Sequence, residues 1–336
     1  MKKILMGTSA LALAGTIAGN AEAATWDLDW GGYYEAAVAY RDSDAFSDAQ
    51  DGFDVISDSE IIFTPSIVLD NGLTFGVNIQ LEGNSAPEAD YIDESFAYVE
   101  GSFGIVRIGS TDAAGANMQG NAPDVSWIGA SSGSLAGRLG IPEFTGTYGQ
   151  PGGGDAAKIA YFTPRFSGFQ VGVSYAHDSN EDKNSPTGAF EDLFSVGANY
   201  VNSFGAFDVA LRGSYSTASA VVGSADPTAY ALHMTLGYAG FAIGGSYANN
   251  DSDVGANSDS DFFDLGASYT TGPWGVSLQY SHGEQGSDET DQYLGAVSYK
   301  LGPGVTAGAF AGYAESERGG ADLDGFMIGT GFKLSF

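Results

Sequence analysis

Apolar and polar residues alternate with a period of two through most of the chain after residue 24. In PWGVSLQYSH, residues 273–282, apolar side chains occupy every second position from Trp274 to Tyr280, and Gly, Ser and Gln occupy the positions between them. The same spacing recurs in GFQVGVSYAH, residues 168–177. A period of two places successive side chains on opposite faces of a β-strand. The pattern therefore predicts strands with one apolar face that is bordered by aromatic residues.

Segments of this kind predict sixteen antiparallel strands, the first over residues 25–41 and the last over residues 324–336. Short turns rich in Gly, Pro and Asn alternate with longer polar connectors. The longer connectors are acidic and comprise HDSNEDKNSPTG, ANNDSDVGANSDSD, SHGEQGSDETD and AESERGGADLD. We therefore expect short turns at one end of the sheet and long charged loops at the other.

The positions of the aromatic residues distinguish a membrane barrel from a secreted soluble β-protein. A soluble sandwich would bury its apolar faces, whereas here apolar faces with aromatic ends oppose faces of Gly, Ser, Asn and charged residues. That arrangement is typical of an outer-membrane barrel, whose lipid face is apolar between aromatic girdles and whose lumen is polar. A barrel of sixteen strands is too wide for side chains to fill. We therefore predict an all-β, antiparallel transmembrane barrel with an aqueous channel.

Residues 1–23 have the composition of a bacterial secretory signal peptide. A basic start, Met-Lys-Lys, precedes an apolar run over residues 4–18, and Ala-Glu-Ala at residues 21–23 forms a small-x-small cleavage site. An uncleaved membrane anchor is the alternative, but the apolar run is short for one. We expect the mature chain to be a single barrel domain over residues 24–336, located in the outer membrane.

The charge of the chain excludes one class of partner. Without residues 1–23, the chain keeps 10 of its 12 Lys and Arg residues and 41 of its 42 Asp and Glu residues, a formal charge of −31. Nucleic acids are therefore not expected partners, because phosphate binding needs clustered basic residues. The sequence has no Cys, which excludes disulfides and thiolate-bound metals.

Three possible sites of catalysis or metal binding find little support in the sequence. GASSG at residues 129–133 matches a nucleophile-elbow pattern but lacks the flanking strand and helix. His177, His233 and His282 lie on separate strands, without the spacing of a zinc site. A barrel lipase would need a Ser/His pair at the membrane rim, and nothing in the sequence selects one. We therefore predict that the chain is not an enzyme and needs no cofactor.

Strand alternation also assigns the basic residues. It points Lys333 and four wall candidates into the lumen, where they avoid the cost of a charge in lipid, about 2–4 kcal/mol near the midplane. These wall residues are Arg41, Arg107, Lys158 and Arg212. Residues 112–155 form the longest connector and contain enough apolar residues to pack against another surface. We expect this connector to fold into the lumen against the barrel wall and to act as a constriction loop.

Four features of the sequence resemble one known family. They are FGIVRIGSTDAAG at residues 103–115, PEFTG at residues 142–146, KIAYFTPRFSGFQVGVSYAHD at residues 158–178, and the terminal aromatic residue. On these features the chain resembles the Gram-negative general diffusion porins, of the alphaproteobacterial kind, over its whole mature length. The resemblance implies a sixteen-stranded barrel, commonly a homotrimer, whose third loop folds inward and forms an eyelet. It also implies that the outer-membrane assembly machinery recognises Phe336.

The resemblance assigns the eyelet residues only in part. PEFTG is similar to the PEFGG motif of the enterobacterial porins, whose Glu is an eyelet acid, so Glu143 is the strongest candidate. In those porins a second loop acid precedes that Glu by four residues, where this chain has Leu139, and an Arg follows the strand-five glycine, where it has Ser110. The eyelet is therefore expected to differ in detail. By position only, the further candidates for the constriction are Asp112, Asp124, Asp155 and Arg138.

Two acidic connectors have the oxygen-rich composition of calcium loops. DSNEDKN, which starts at Asp178, and DSDVGANSDSD, which starts at Asp251, lack the Gly at position six and the Glu at position twelve of the EF-hand. One interpretation is a solvated acidic surface. The other is loose binding of Ca²⁺ or Mg²⁺, which would bridge phosphates of lipopolysaccharide or neighbouring loops. The residues that would make these contacts are Asp178, Asp182, Asp251 and Asp253.

Together these patterns predict an outer-membrane porin, a water-filled channel for passive diffusion of small hydrophilic solutes and ions. The excess of acidic residues favours a mild cation preference. A substrate-specific channel, for example for sugars, would need a row of aromatic residues along the lumen, and the inward positions are mainly Gly, Ser, Ala and Asn. A structural or adhesive barrel with a plugged lumen is the remaining alternative.

Overall fold

A computed structural model describes residues 25–45, 51–83, 91–126, 138–139, 141, 154–180, 190–221, 226–252 and 259–336, and the structural statements below concern these residues. Their secondary structure is almost entirely β. The strands are β1 (Asp27–Ser43), β2 (Gly52–Val68), β3 (Thr74–Glu82), β4 (Ile92–Gly101), β5 (Gly104–Ser110), β6 (Ala157–Phe162), β7 (Phe169–Asp178), β8 (Phe190–Phe204), β9 (Phe207–Ala220), β10 (Thr228–Tyr238), β11 (Phe241–Asp251), β12 (Ser260–Thr271), β13 (Trp274–Gln285), β14 (Asp288–Gly302), β15 (Val305–Arg318) and β16 (Ala321–Ser335). One helical turn, α1 (Ala114–Asn117), lies between β5 and β6. No helix in these ranges is long and apolar enough to cross a membrane.

The strands form one closed antiparallel barrel, in which each strand pairs with its neighbour in the sequence and β1 pairs with β16. At the seam, the Gly32 N–H donates to the Phe336 carbonyl at 3.0 Å and the Phe336 N–H donates to the Gly32 carbonyl at 3.1 Å. The Trp30 and Phe336 rings lie edge to face with centroids 5.9 Å apart. Closure leaves no open sheet edge. The predicted antiparallel barrel, and the pairing of the last strand with the first, are confirmed.

Several strands reach further than their apolar alternation predicts. Apolar alternation in the sequence predicts a second strand over residues 58–69, whereas β2 begins six residues earlier, at Gly52. Two of the four predicted long loops are tight turns instead, because β13 to β14 and β15 to β16 are each joined by only two residues, 286–287 and 319–320. Their acidic residues belong to the strands, where Glu315 pairs across both Asp291 and Asp324. Period-two apolar alternation stops where both faces of a strand meet solvent, but backbone pairing continues, so the sequence pattern underestimates these strands.

Outward faces carry large apolar side chains that are left exposed, such as Leu278 at 72% and Ile243 at 62% of their maximal exposure. Aromatic residues stack near the short turns, where the rings of Phe241 and Tyr269 are 4.2 Å apart. A second aromatic level lies towards the other end, where Tyr280 and Tyr293 are 5.1 Å apart. The two levels border an apolar band, which is the outer surface expected of a membrane barrel.

Candidate functional site: the lumen wall and the connector between β5 and β6

The connector between β5 and β6, residues 111–156, passes along the inward face of the barrel in its described part. The N–H of Ala114 donates to the Ser174 hydroxyl and the N–H of Gly115 donates to the Ser195 hydroxyl, both at 2.9 Å. Ser174 and Ser195 are directly opposite each other on β7 and β8, on the face that alternates with the exposed apolar side chains. The first turn of the connector, α1, therefore lies inside the barrel.

Close approach of backbone to wall requires glycine at two positions. A Cβ on Gly115 would lie 2.6 Å from the Ser195 hydroxyl oxygen, and a Cβ on Gly197 would lie 2.7 Å from the Cβ of Met118. Both distances are shorter than real Cβ contacts, and the second neighbour is not the flexible end of a side chain. Glycine at these sites lets the connector contact β8 directly.

Beyond α1 the connector crosses to β12 and β13. The Ala122 N–H donates to Asp264 at 3.1 Å, and the fully buried Asp264 also accepts the N–H and hydroxyl of Ser246 at 2.6 and 2.7 Å. The Val125 N–H donates to the Ser277 hydroxyl at 3.1 Å, and the Gln279 amide donates to the Ala122 carbonyl at 3.2 Å. Because these partners lie on inward faces, the connector covers the inner wall from β7 to β13.

All four predicted wall bases lie on this inward side, and each one contacts the connector. Arg212 donates to the Gln119 carbonyl, and Lys158 donates to the carbonyls of Thr111 and, at 2.8 Å, of Gly154. Lys158 therefore joins the two ends of the connector at its base.

The other two bases, Arg107 and Arg41, form hydrogen bonds with the connector at separate points. Arg107 donates to the Asn117 amide oxygen at 3.1 Å, and its guanidinium lies 4.9 Å from the ring centres of both Phe96 and Phe162. Arg41 donates to the Arg138 carbonyl at 3.3 Å and lies 3.6 Å from an Asp54 carboxylate oxygen. The wall bases hold the connector chiefly through its carbonyl oxygens, a role that alternation alone does not reveal.

The predicted constriction residues that the structure describes lie in three places. Asp112 and Asp155 meet at the base of the connector, where the Asp112 N–H donates to Glu94 at 2.8 Å. Burial, followed by the negative charges of Asp112, Asp93 and Glu94, raises the pKa of Asp155 to about 6, although Lys158 acts in the opposite direction.

The other candidates lie away from this base. Asp124 is on the far side, beside β13, and accepts the Ser126 N–H at 2.6 Å and the Ser277 hydroxyl at 3.1 Å. Arg138 is beside β1 through its contact with Arg41. Glu143 lies outside the described residues, as do the 129–133 motif, Asp182 and Asp253.

The remaining sequence candidates are dispersed. His233 faces inward, with a ring nitrogen 3.0 Å from the Asn121 carbonyl oxygen, whereas His282 lies 3.1 Å from Asp291 on the outward side. Asp178 accepts the N–H of Asn180 at 2.9 Å, which is a local turn contact. Within the described ranges, no group of three His, Cys, Asp or Glu residues is arranged to hold a metal ion.

Five carboxylates on the wall of β2–β4 were not singled out from the sequence. We call them the β2–β4 acid cluster: Asp58, Glu60, Glu82, Asp93 and Glu94. Glu60 and Glu82 are directly opposite each other on β2 and β3, and their neighbours Ile61 and Leu81 are exposed on the outward face. The alternation that assigned the bases would have assigned Asp58, Glu60 and Glu82 to the lumen as well, but it cannot place the adjacent residues Asp93 and Glu94 on one face, which follows a shift in the register between β3 and β4.

Glu94 links this cluster to the connector. One of its oxygens accepts the Thr111 hydroxyl at 2.6 Å and the Asp112 N–H at 2.8 Å, and the other accepts the Gln80 amide. Nearby on β1, Tyr33 donates to Asp58 at 3.2 Å. The cluster therefore begins where the connector leaves the wall and continues across β3 and β2 towards β1.

The comparisons with known proteins agree with this architecture. The Gram-negative porin family matches residues 7–319, so the chain belongs to that family. Together with the closed barrel of sixteen strands, this membership defines an outer-membrane porin channel. No curated protein matches the sequence.

Solved structures with the same fold include porins of different kinds. An anion-selective porin from Comamonas acidovorans has a TM-score of 0.68 and 19% identity, over 93% of this chain and 100% of that chain. The trimer form of OmpT from Vibrio cholerae has a TM-score of 0.64 and 16% identity, over 93% and 99%. A substituted porin of Rh. blastica has a TM-score of 0.60 and 15% identity, over 92% and 100%. At these identities the similarity shows the fold alone.

Proposed function

We propose that this porin is a passive channel for small hydrophilic solutes and ions, with a preference for cations and without catalytic activity. One observation carries the proposal: the β2–β4 acid cluster faces the lumen, whereas the wall bases Arg107, Lys158 and Arg212 are bound to the connector. Rings of one charge along a pore select ions of the opposite charge.

The sign of the preference rests on this chain's own residues. The neighbour from Comamonas acidovorans is described as anion-selective, but at 19% identity its selectivity does not transfer. The formal charge of −30 for the full chain supports cations only in part, because charges in outer loops are screened beyond about 8 Å at physiological salt. The wall acids act at shorter range.

Reversal potentials of the purified protein in planar bilayers, measured under a KCl gradient, test the proposal. We expect a potential of the sign that marks K⁺ as the more permeant ion. A potential of the opposite sign would rule out the cation preference, and absence of conductance would favour a plugged, structural barrel. Saturable block by a sugar would favour a substrate-specific channel.

We further propose that Glu143 contributes to the constriction from the connector, as the resemblance implies. Replacing Glu143 with Gln should shift the reversal potential towards anions. The control is Glu315→Gln, which removes the same charge from an exposed, outward position. Equal effects of the two variants would show that Glu143 is not near the ion path.

The proposal extends to the oligomeric state, the membrane environment and the last residue of the chain. We expect a homotrimer in the outer membrane, in contact with lipid and lipopolysaccharide, and recognition of Phe336 by the assembly machinery. Loose Ca²⁺ or Mg²⁺ binding at Asp178, Asp182, Asp251 and Asp253 stays a proposal. Crosslinking of the native membrane tests the trimer, and normal insertion of a chain without Phe336 would contradict the assembly signal.

A further inference from the structure

Glu60 is in an unusual position for a carboxylate. Its side chain is at the centre of the β2–β4 acid cluster, the residue is 8% exposed, and its Oε1 atom has no hydrogen-bond partner among the described residues. Glu82 is directly across from it, and like charges in directly opposed positions destabilise a sheet. A buried carboxylate without a partner is costly unless a positive charge or a proton compensates it.

The charges around Glu60 do not supply that compensation. Its largest electrostatic influences are four carboxylates, Asp93, Glu82, Glu94 and Asp58. Two basic residues of the same wall have other partners. Lys333 lies 2.5 Å from Glu35 and over the Tyr33 ring, and Arg107 lies between two aromatic rings and donates to Asn117.

We infer that the β2–β4 acid cluster binds a hydrated divalent cation of the Mg²⁺ type from the lumen, with Glu60 and Glu82 as its two main carboxylates. Mg²⁺ gives up its water reluctantly, so it is usually bound by one or two carboxylates while it keeps several waters. This matches a site where, among the described residues, no three acidic or His residues converge as chelating ligands. Such a site binds weakly, so the ion exchanges with the channel.

A proton shared between Glu60 and Glu82 would also relieve their repulsion. The two explanations give different results when Glu60 is replaced by Gln, which has the shape of the protonated acid. If the residue carries a proton, the substitution changes little. If it faces a cation, the substitution removes half of the carboxylate pair.

The electrical test measures block of K⁺ current by Mg²⁺ in planar bilayers, and this readout rests on the proposed channel function. We expect MgCl₂ to reduce the wild-type current, and Glu60→Gln and Glu82→Gln each to raise the half-blocking concentration by about tenfold, the scale of one contact with a charged group. Glu60→Asp keeps the charge and should retain block. Glu315→Gln, which removes an outward and exposed carboxylate, should leave block unchanged.

A second readout does not depend on conductance. Titration of the folded protein in detergent with Mn²⁺, a paramagnetic substitute for Mg²⁺, is followed by electron paramagnetic resonance. We expect wild type and Glu315→Gln to bind one more ion than Glu60→Gln or Glu82→Gln. Equal Mn²⁺ binding, or unchanged block, in both Gln variants would overturn the inference. A protein that binds the extra ion but does not conduct would instead overturn only the channel proposal.

Discussion

The inner wall of this porin has two parts, which differ in the partners of their inward polar side chains. From β7 to β13, inward hydroxyls and carboxylates such as Ser174, Ser195 and Asp264 accept backbone N–H groups of the connector. From β2 to β4, the inward carboxylates lie beside one another, and Glu60 Oε1 has no partner in the described structure. The first part is built to hold a segment of the protein's own chain. In the second part only Glu94 accepts groups of the connector among the described contacts, and we propose that the other carboxylates face ions that enter the channel.

Orientation alone does not define a pore-lining residue. Arg212 and Glu60 both point inward, but the guanidinium is bound to the Gln119 carbonyl while the carboxylate is in a cluster of like charge. A carbonyl dipole offsets part of the local field of a guanidinium and leaves its charge in place, whereas neighbouring carboxylates of like sign add their fields. The selectivity of the pore is therefore expected to follow the acids of β2–β4 more than the bases of the wall.

The largest effect is expected when the β7–β13 part of the wall loses a hydrogen-bond acceptor that holds the connector. Replacing Asp264 with Ala leaves the N–H groups of Ala122 and Ser246 without it, and each buried donor left unsatisfied costs roughly 1–3 kcal/mol. We expect a lower free energy of unfolding, measured by urea titration in detergent, together with a larger single-channel conductance as the connector loosens. Asp208→Ala is the control, because Asp208 is exposed and accepts only the Ser203 hydroxyl in the described contacts.

The next effect concerns the fit of the connector against β8. A Val at Gly197 would overlap Met118 and the Ala114 carbonyl, and overpacking of this kind costs about 1–3 kcal/mol. Gly213 provides a matched control on the outward face, where an added Cβ meets only the Leu232 side chain at 3.3 Å and a backbone oxygen at 3.8 Å. Equal unfolding free energies for Gly197→Val and Gly213→Val would contradict the contact between connector and wall.

The smallest expected effect is a change in ion selectivity with pH, caused by Asp155 at the base of the connector. Because the pKa of Asp155 is raised to about 6, its carboxyl is protonated at pH 5 and ionised at pH 7. We expect cation preference to increase as the pH rises from 5 to 7, since a negative charge appears at the base of the connector. Reversal potentials at pH 5 and pH 7 measure the change in cation preference. The Asp155→Asn variant should show a smaller difference between the two potentials. An identical pH response in that variant would mean that other groups titrate.

Much of the barrel could be predicted because the pattern of each strand depends only on what its own two faces contact. Alternation with aromatic ends follows from a wall that has lipid on one side and water on the other, and it locates strands such as β10 and β13 directly. It fails at the ends of β13 to β16, where acidic residues face water on both sides of the sheet and no apolar signal remains.

The site was less accessible to sequence reasoning. Alternation gives the inward direction of Arg107 and Lys158, but their partners depend on the path of a connector that leaves the wall and returns to it. Glu60 and Glu82 follow the same alternation, and their direct opposition depends on the register between β2 and β3, which no single strand specifies.

The described contacts between connector and wall have a consequence for how this pore can vary. The wall binds N–H groups of Ala114, Gly115, Ala122 and Val125 and the carbonyl of Gln119, which are main-chain groups. Every amino acid except proline offers the same N–H and carbonyl. Connector side chains that do not themselves contact the wall, unlike Gly115, Asn117 and Met118, can thus be exchanged while these main-chain bonds are retained. The lining of the channel can then vary more readily than the attachment of the connector.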